Sequence, residues 1–411
     1  VREVRPVVPD DILGEALVDA DVPALRHRDH EAARAPGEPA LDVLGPVVAQ
    51  QTPITAGSNP IVQPVTAVFP GSHWEKADRL EQYGLSEARL KTLTPFLESL
   101  DTTSMMVVVD GRVVYEYGDS KVISYLASSR KSVLAVMFGN YVASGQIRLD
   151  QTLRELKLDD VGGLLPSELD ATIENLITAR SGVYHPAGYK GDASASSPPR
   201  GSQKPGQYYI YNNWDFNAAG AIFEQLTGKS IYETLQSDLA IPLGMEDFDL
   251  SRQKKSGDVT KSIYLGYPMD LSTRDMARIG YLMLREGEWN GRQLVPKNWV
   301  EKITSLVTPP SEINPPFWKG YAEGSLWGYG YLWWVWDDHG LDGPLRGAYT
   351  TWGVSGQFIT VLPALRMVIA HKTVPGKTAE GRVRNVSVMQ YQAILMHIIA
   401  AHDKGAIETR K

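Results

Sequence analysis

Apolar positions along this chain change period several times, and each change marks an element. Leu90, Leu93, Leu97 and Leu100 recur at helical spacing behind Ser86, whose hydroxyl suits the cap of a first turn. Met105–Val109 and Arg112–Tyr117 are β-branched and aromatic runs joined by Asp110-Gly111, which predicts a two-residue hairpin. Val133–Ala143 is apolar on nearly every face and stops before Gly145, the pattern of a helix buried all round. From about 150 to 310, helical patterns at Ala218–Leu226, Ile231–Leu239 and Thr273–Leu284 (behind Ser272) alternate with loops. Gly188–Gln207, rich in Gly, Ser, Pro and Lys, reads as a mobile surface loop. Strand patterns return at Tyr329–Trp336, Arg346–Thr351, Gln357–Leu362 and Met367–Lys372, and a last helix covers Val386–Ala401.

The order of these patterns predicts an α/β (α+β) fold. An antiparallel sheet is built from the N- and C-terminal parts and flanked by helices, with a helical lobe at about 150–310 inserted between them. Residues 1–75, rich in Pro and without sustained periodicity, read as an extended arm, and 76–411 as the folded domain.

Composition narrows the chemistry. Of 411 residues 43% are apolar and 22% charged, enough for a real core. The net charge is −7 and Lys and Arg form no block, so nucleic acid is an unsuitable partner. Without Cys there are no disulfides, thiolate nucleophiles or Cys-ligated metals. The longest apolar stretches, Val133–Val142 and Ala393–Ala401, fall short of the ~20 residues of a membrane span. His27/His30 and Asp337-Asp338-His339 lack a third ligand at plausible spacing, so neither metal nor cofactor is expected. Oligomeric state is left open.

The plausible nucleophiles are therefore hydroxyls. No Gly-x-Ser-x-Gly elbow is present; Gly353-Val354-Ser355-Gly356 is one residue short. Ser-x-x-Lys occurs at Ser128–Lys131 and at Ser251–Lys254, and a pattern this short arises about once by chance. Ser251 lies in a polar stretch with no helix behind it. Ser128 stands at the entrance of the buried helix, beside unpaired backbone N–H groups and the positive end of the helix dipole, with Lys131 one turn inward. A capping Ser with a snorkelling Lys is the plain alternative. Tyr211-x-Asn213, after a Pro-Gly loop and a strand-like run, supplies a phenol that a lysine cation can bias towards phenolate. Asn213 would donate to a substrate carbonyl or hold Lys131.

These motifs, in this order, resemble the serine hydrolases of the class C β-lactamase and penicillin-binding-protein superfamily, most of all its esterase and 6-aminohexanoate-dimer hydrolase branch. The resemblance runs from about 68 to 400. It includes Thr227-Gly228, Pro242-Leu243-Gly244-Met245, Ser272–Gly280 and Tyr329–Trp334. It implies a β-lactamase-like fold and Ser128, Lys131 and Tyr211 as catalytic residues. The third motif then falls at Thr351-Trp352-Gly353, and the amides of Ser128 and Val354 form the oxyanion hole. In the alternative register Gln357 is the donor. Either way the motif's usual Lys, which meets the substrate carboxylate in β-lactamases and peptidases, is absent; Arg346 is a weak substitute, and Lys372-Thr373, followed by Val374 rather than Gly, is a decoy.

Six tryptophans (Trp318, Trp327, Trp333, Trp334, Trp336, Trp352) fall among Tyr321, Tyr329, Tyr331 and Tyr349, as sheet packing or as an aromatic acyl pocket near Trp352. Tyr189 resembles the gating Tyr of nylon-oligomer hydrolases. The resemblance implies a serine hydrolase acting on a small-molecule carboxylic ester or amide. A β-lactamase, a D-amino-acid or DD-peptidase, or a catalytically silent penicillin-recognition module are the rivals. Family habit and a first residue other than Met set the expectation of a periplasmic or secreted protein.

Overall fold

A computed structural model describes residues 67–189, 196–314, 326–337 and 342–402. Most of the 1–75 arm, His27, His30, Trp318, Tyr321, Asp338, His339 and the middle of the 188–207 loop lie outside the described residues.

A seven-stranded antiparallel sheet organises the rest. In chain order its strands are β1 (Ser104–Val109), β2 (Arg112–Gly118), β3 (Trp327–Tyr329), β4 (Trp334–Trp336), β5 (Tyr349–Thr350), β6 (Phe358–Leu362) and β7 (Met367–Lys372). They lie side by side as β2-β1-β7-β6-β5-β4-β3, so the N-terminal hairpin adds directly onto the last strand. The register sets Met105 opposite His371 and Val107 opposite Ile369. Asp110 and Gly111 both have positive φ, 50° and 84°, the turn whose twist matches a hairpin. A Cβ at Gly111 would lie 1.8 Å from the Val68 carbonyl oxygen, so no other residue fits.

Strands β1, β6 and β7 are buried along their whole length, because helices cover both faces. Four helices carry or brace the site residues: α1 (Ser129–Ala143), α2 (Asn213–Thr227), α3 (Thr273–Leu284) and α4 (Val388–Ala400). On one face α3 presses so close that a Cβ at Gly280 would sit 2.4 Å from Val368 Cγ1 and 2.8 Å from Ile359 Cγ2. On the other, Tyr391 of α4 stacks on Phe358 at 3.8 Å and 6°. Ser272 and Ser387 cap α3 and α4 through the amides of Asp275 and Gln390.

Two strand expectations are corrected. Tyr329–Trp336 is two strands, β3 and β4, folded back on each other, because Leu332 takes a left-handed φ of 63°. Of Arg346–Thr351 the strand proper is Tyr349–Thr350, with single backbone hydrogen bonds joining Ala348 and Thr351 to the neighbouring segments; Gly347, at φ 66°, turns the chain just before. The predicted helix Ile231–Leu239 divides into an α turn, Ile231–Thr234, and a wider π turn, Leu235–Ala240. Leu90 to Leu100 forms two short helices, Glu87–Lys91 behind Ser86 and Leu93–Glu98.

Candidate active site

Helix α1 is buried on every side, as its uninterrupted apolar sequence requires. Phe138 meets Phe223 of α2 at 5.2 Å, and Trp299 donates to the Ala135 carbonyl at 2.8 Å. Its first turn therefore points from the core of the helical lobe towards the sheet. Ser128 is the N-cap residue, yet its side chain caps nothing: its φ and ψ, −73° and −13°, are already helical. The plain reading of Ser128 as a structural cap is thus not what the local geometry shows. Ala127 just before it is held at φ 49°, a conformation costly for a residue with a Cβ and one that persists only where its surroundings impose it.

Lys131 follows one turn on and is 1% exposed. Its Nζ donates to Ser128 Oγ at 2.8 Å and to the Tyr211 hydroxyl at 2.7 Å. It also lies over the rings of Tyr211 and Phe216, at 4.5 and 4.8 Å. Hydroxyl, amine and phenol, drawn from positions 128, 131 and 211, therefore form one continuous chain.

Tyr211 comes one residue before the cap of α2. Asn212 accepts from the Trp214 amide at 3.0 Å and donates to the Val183 carbonyl at 2.7 Å. The buried Asp215 carboxylate accepts from Ser181 Oγ at 2.6 Å and from Asn212 Nδ2 at 3.2 Å. This polar knot orients the start of α2 and with it Tyr211; Asn213 is buried in the first turn. Burial pushes the phenols of Tyr209 and Tyr329 well up, so the rings flanking Tyr211 stay neutral. Trp334 stacks near Tyr211 at 6.1 Å and meets Trp352 at 5.2 Å, forming an aromatic wall.

The segment 351–357 closes the other side. Gly353 and Gln357 bond reciprocally, Gly353 N to the Gln357 carbonyl at 2.7 Å and Gln357 N to the Gly353 carbonyl at 3.0 Å. The Gln357 amide is thus spent inside the turn. By contrast, the N–H groups of Ser128 and Val354 donate to no acceptor among the described residues. The two segments are in contact: a Cβ at Gly353 would lie 2.4 Å from the Leu126 carbonyl oxygen and 3.1 Å from Ser129 Oγ. Ser129 joins them, donating to the Gln357 carbonyl at 2.8 Å and accepting from Thr351 Oγ1 at 2.9 Å. Thr351 Oγ1 in turn accepts the Ile359 amide at 2.9 Å, which makes it a neutral, fully buried brace.

Tyr189 is half-buried, its hydroxyl 3.0 Å from that of Tyr125 and its ring 5.2 Å from the Arg130 guanidinium. Arg346 is exposed and paired with Asp342 at 3.3 Å. Ser251 is exposed and bonded to Asp249, a surface loop as its sequence indicates. Sequence reasoning overlooked Ser129, which occupies a variable position of Ser-x-x-Lys; doubled serine at a helix entrance is the one signal that could have marked it. No group of three His, Asp or Glu able to hold a metal occurs among the described residues, and no described helix is long and apolar enough to cross a membrane.

Solved structures share this fold at low identity. A protein from Bacillus anthracis described as a candidate 6-aminohexanoate-dimer hydrolase is 22% identical, with a TM-score of 0.57 over 81% of this chain and 88% of the other. EstCE1, a hydrolase with promiscuous acyltransferase activity, is 15% identical at TM-score 0.54, over 76% and 98%. A penicillin-binding-protein homologue from Caulobacter crescentus is 14% identical at TM-score 0.54, over 79% and 99%. A sequence model of the beta-lactamase family matches residues 91–383, most of the chain, and the protein belongs to that family.

Proposed function

We propose that this protein is a serine hydrolase that cleaves a small-molecule carboxylic ester or amide through an acyl-enzyme on Ser128. The observation that carries the reading is the Ser128–Lys131–Tyr211 chain, with Lys131 Nζ 2.8 Å from one hydroxyl and 2.7 Å from the other. Ser128 Oγ attacks the carbonyl carbon while its proton passes to the Lys131–Tyr211 pair. The N–H groups of Ser128 and Val354 hold the oxyanion, each worth about 10²–10³ in rate. The tetrahedral intermediate collapses as the pair protonates the departing alcohol or amine. Water, deprotonated by the same pair, then adds to the acyl carbon, and the second tetrahedral intermediate breaks its bond to Ser128 Oγ, which takes the proton back from the pair as the acid leaves. A general base of this kind contributes about 10²–10⁴.

Specificity follows from two positions among the described residues, Thr351 and Arg346, at which a cation could have met a substrate carboxylate. β-Lactams and peptidoglycan peptides present a carboxylate, which a nearby cation must meet. Thr351 spends its hydroxyl on Ser129, and Arg346 is exposed and paired with Asp342. Half-buried Trp352, backed by the core ring of Trp334 at 5.2 Å, offers instead an aromatic surface suited to an uncharged acyl group.

Labelling with a fluorophosphonate and turnover of short-chain p-nitrophenyl esters test the reading. Both should be abolished in Ser128→Ala. Activity that survives the substitution, or labelling at another residue, removes the mechanism; brisk nitrocefin turnover overturns the preference drawn from Thr351.

A further inference from the structure

Lys372 ends β7 with its side chain wholly buried. Its Nζ donates to the carbonyls of Ser124 and Leu271, at 2.7 and 2.6 Å. Those two residues pair with each other in a short antiparallel ribbon, Ser124–Tyr125 with Asp270–Leu271. The next residues of the first ribbon strand are Leu126, strained Ala127 and Ser128; the Leu126 amide donates to the Met269 carbonyl at 2.9 Å. A left-handed Ala persists only where neighbouring structure holds it. Lys372 anchors the ribbon four residues upstream of the nucleophile, at the cost of a desolvated amine that an apolar side chain would avoid.

The residues on either side of Lys372 grip the opposite segment. His371 Nδ1 lies 2.8 Å from the Gly356 carbonyl, and Gln357 Nε2 donates to the Thr373 carbonyl at 2.6 Å. Burial holds the imidazole neutral, with its pKa pushed down to about 4, so it serves as a fixed donor to that carbonyl. Three consecutive residues at one strand end thus bind both the run leading to Ser128 and the turn that carries Val354.

We infer that residues 371–373 form a bracket setting the spacing of the two oxyanion donors, with Lys372 as its positioning residue. The inference rests on the proposed role of Ser128 and goes beyond it, since Lys372 touches no reacting atom. Asp270, Asp275 and Arg252 are the charged groups that act on its amine.

Lys372→Met keeps the length and packing of the side chain and removes the donors. Misplaced donors should lower kcat for p-nitrophenyl esters about 10–100-fold. Affinity for a boronic acid, which forms a tetrahedral adduct on the nucleophile, should fall by the same factor. KM and affinity for the p-nitrophenol product should stay within about threefold, because neither depends on the oxyanion donors as the transition state does. Unchanged kcat in the folded variant overturns the inference. So does an equal loss of kcat and product affinity, which marks general loosening. If Lys372→Met does not fold, Gln357→Leu opens the bracket from the other segment and is judged on the same readouts. Ser128→Ala is assayed alongside: if it stays active the site reading fails, whereas an inactive Ser128→Ala with a fully active Lys372→Met sinks the bracket alone.

Discussion

Gly353→Ala probes the contact between the two segments that carry Ser128 and Val354. The added methyl would lie 2.4 Å from the Leu126 carbonyl oxygen and 2.8 Å from Gln357 Cβ. Neither obstacle can swing aside. The first is backbone two residues before Ser128; the second is fixed by the reciprocal Gly353–Gln357 pair. Since real Cβ contacts essentially never fall below 3.0 Å, the segments must part by at least about 0.6 Å. The displacement falls on the amide of the next residue, Val354, which the proposed mechanism aims at the oxyanion. Misplacement by about 1 Å costs about 10²-fold, and complete loss of one donor up to about 10³-fold. The expected fall in kcat is therefore about 10²-fold, or about 2.7 kcal/mol in the barrier, with KM little altered. Steady-state turnover of a p-nitrophenyl ester gives kcat, and thermal unfolding confirms that the variant is folded. A folded Gly353→Ala with kcat within threefold of wild type would refute the assignment of Val354 as donor.

Lys131→Ala and Tyr211→Phe should each lower kcat/KM by about 10²–10⁴, with Lys131→Ala losing at least as much because it breaks both hydrogen bonds of the chain; near-wild-type rates in either contradict a shared base. Thr351→Lys should not create a β-lactamase. It puts an amine where a fully buried hydroxyl braces Ser129 and the Ile359 amide, so stability should drop by at least about 2 kcal/mol in denaturant titrations, with no gain in nitrocefin turnover. Burial lowers the Lys372 amine from its ordinary 10.5 to about 7. Between those values the unfolded chain binds more protons than the folded one, so this group's contribution to stability rises with pH, by up to about 1.4 kcal/mol per unit. The stability of wild type relative to Lys372→Met, from urea titrations at pH 7, 8 and 9, should increase across the series; a flat or falling difference contradicts a buried, depressed amine.

Much of the fold was legible because its signals are local. The Asp110-Gly111 turn, the caps at Ser86 and Ser272, and the apolar run of α1 each express a preference of a few adjacent residues. The break at Leu332 was not legible, because a Leu with positive φ violates local preference and is imposed by the pairing of β3 with β4. Gly330-Tyr331-Leu332 between aromatic residues reads equally well as one strand. Lys372-Thr373 lacks the Gly that would complete a motif, and no motif describes the two carbonyls that the lysine amine binds.

By itself the sequence determined which chemistry was available: hydroxyl, amine and phenol without thiols, on a helix entrance and in a loop before a second helix. It could do so because residue types and short spacings carry that information. Only the tertiary structure decided that Lys131 reaches Ser128 and Tyr211 at once, that the Val354 amide is left open while that of Gln357 is consumed, and that Ser129 ties α1 to the sheet. The Lys131–Tyr211 and Ser129–Gln357 contacts join positions 80 and 228 apart, and they are set by how helices and sheet pack rather than by any residue's own preference.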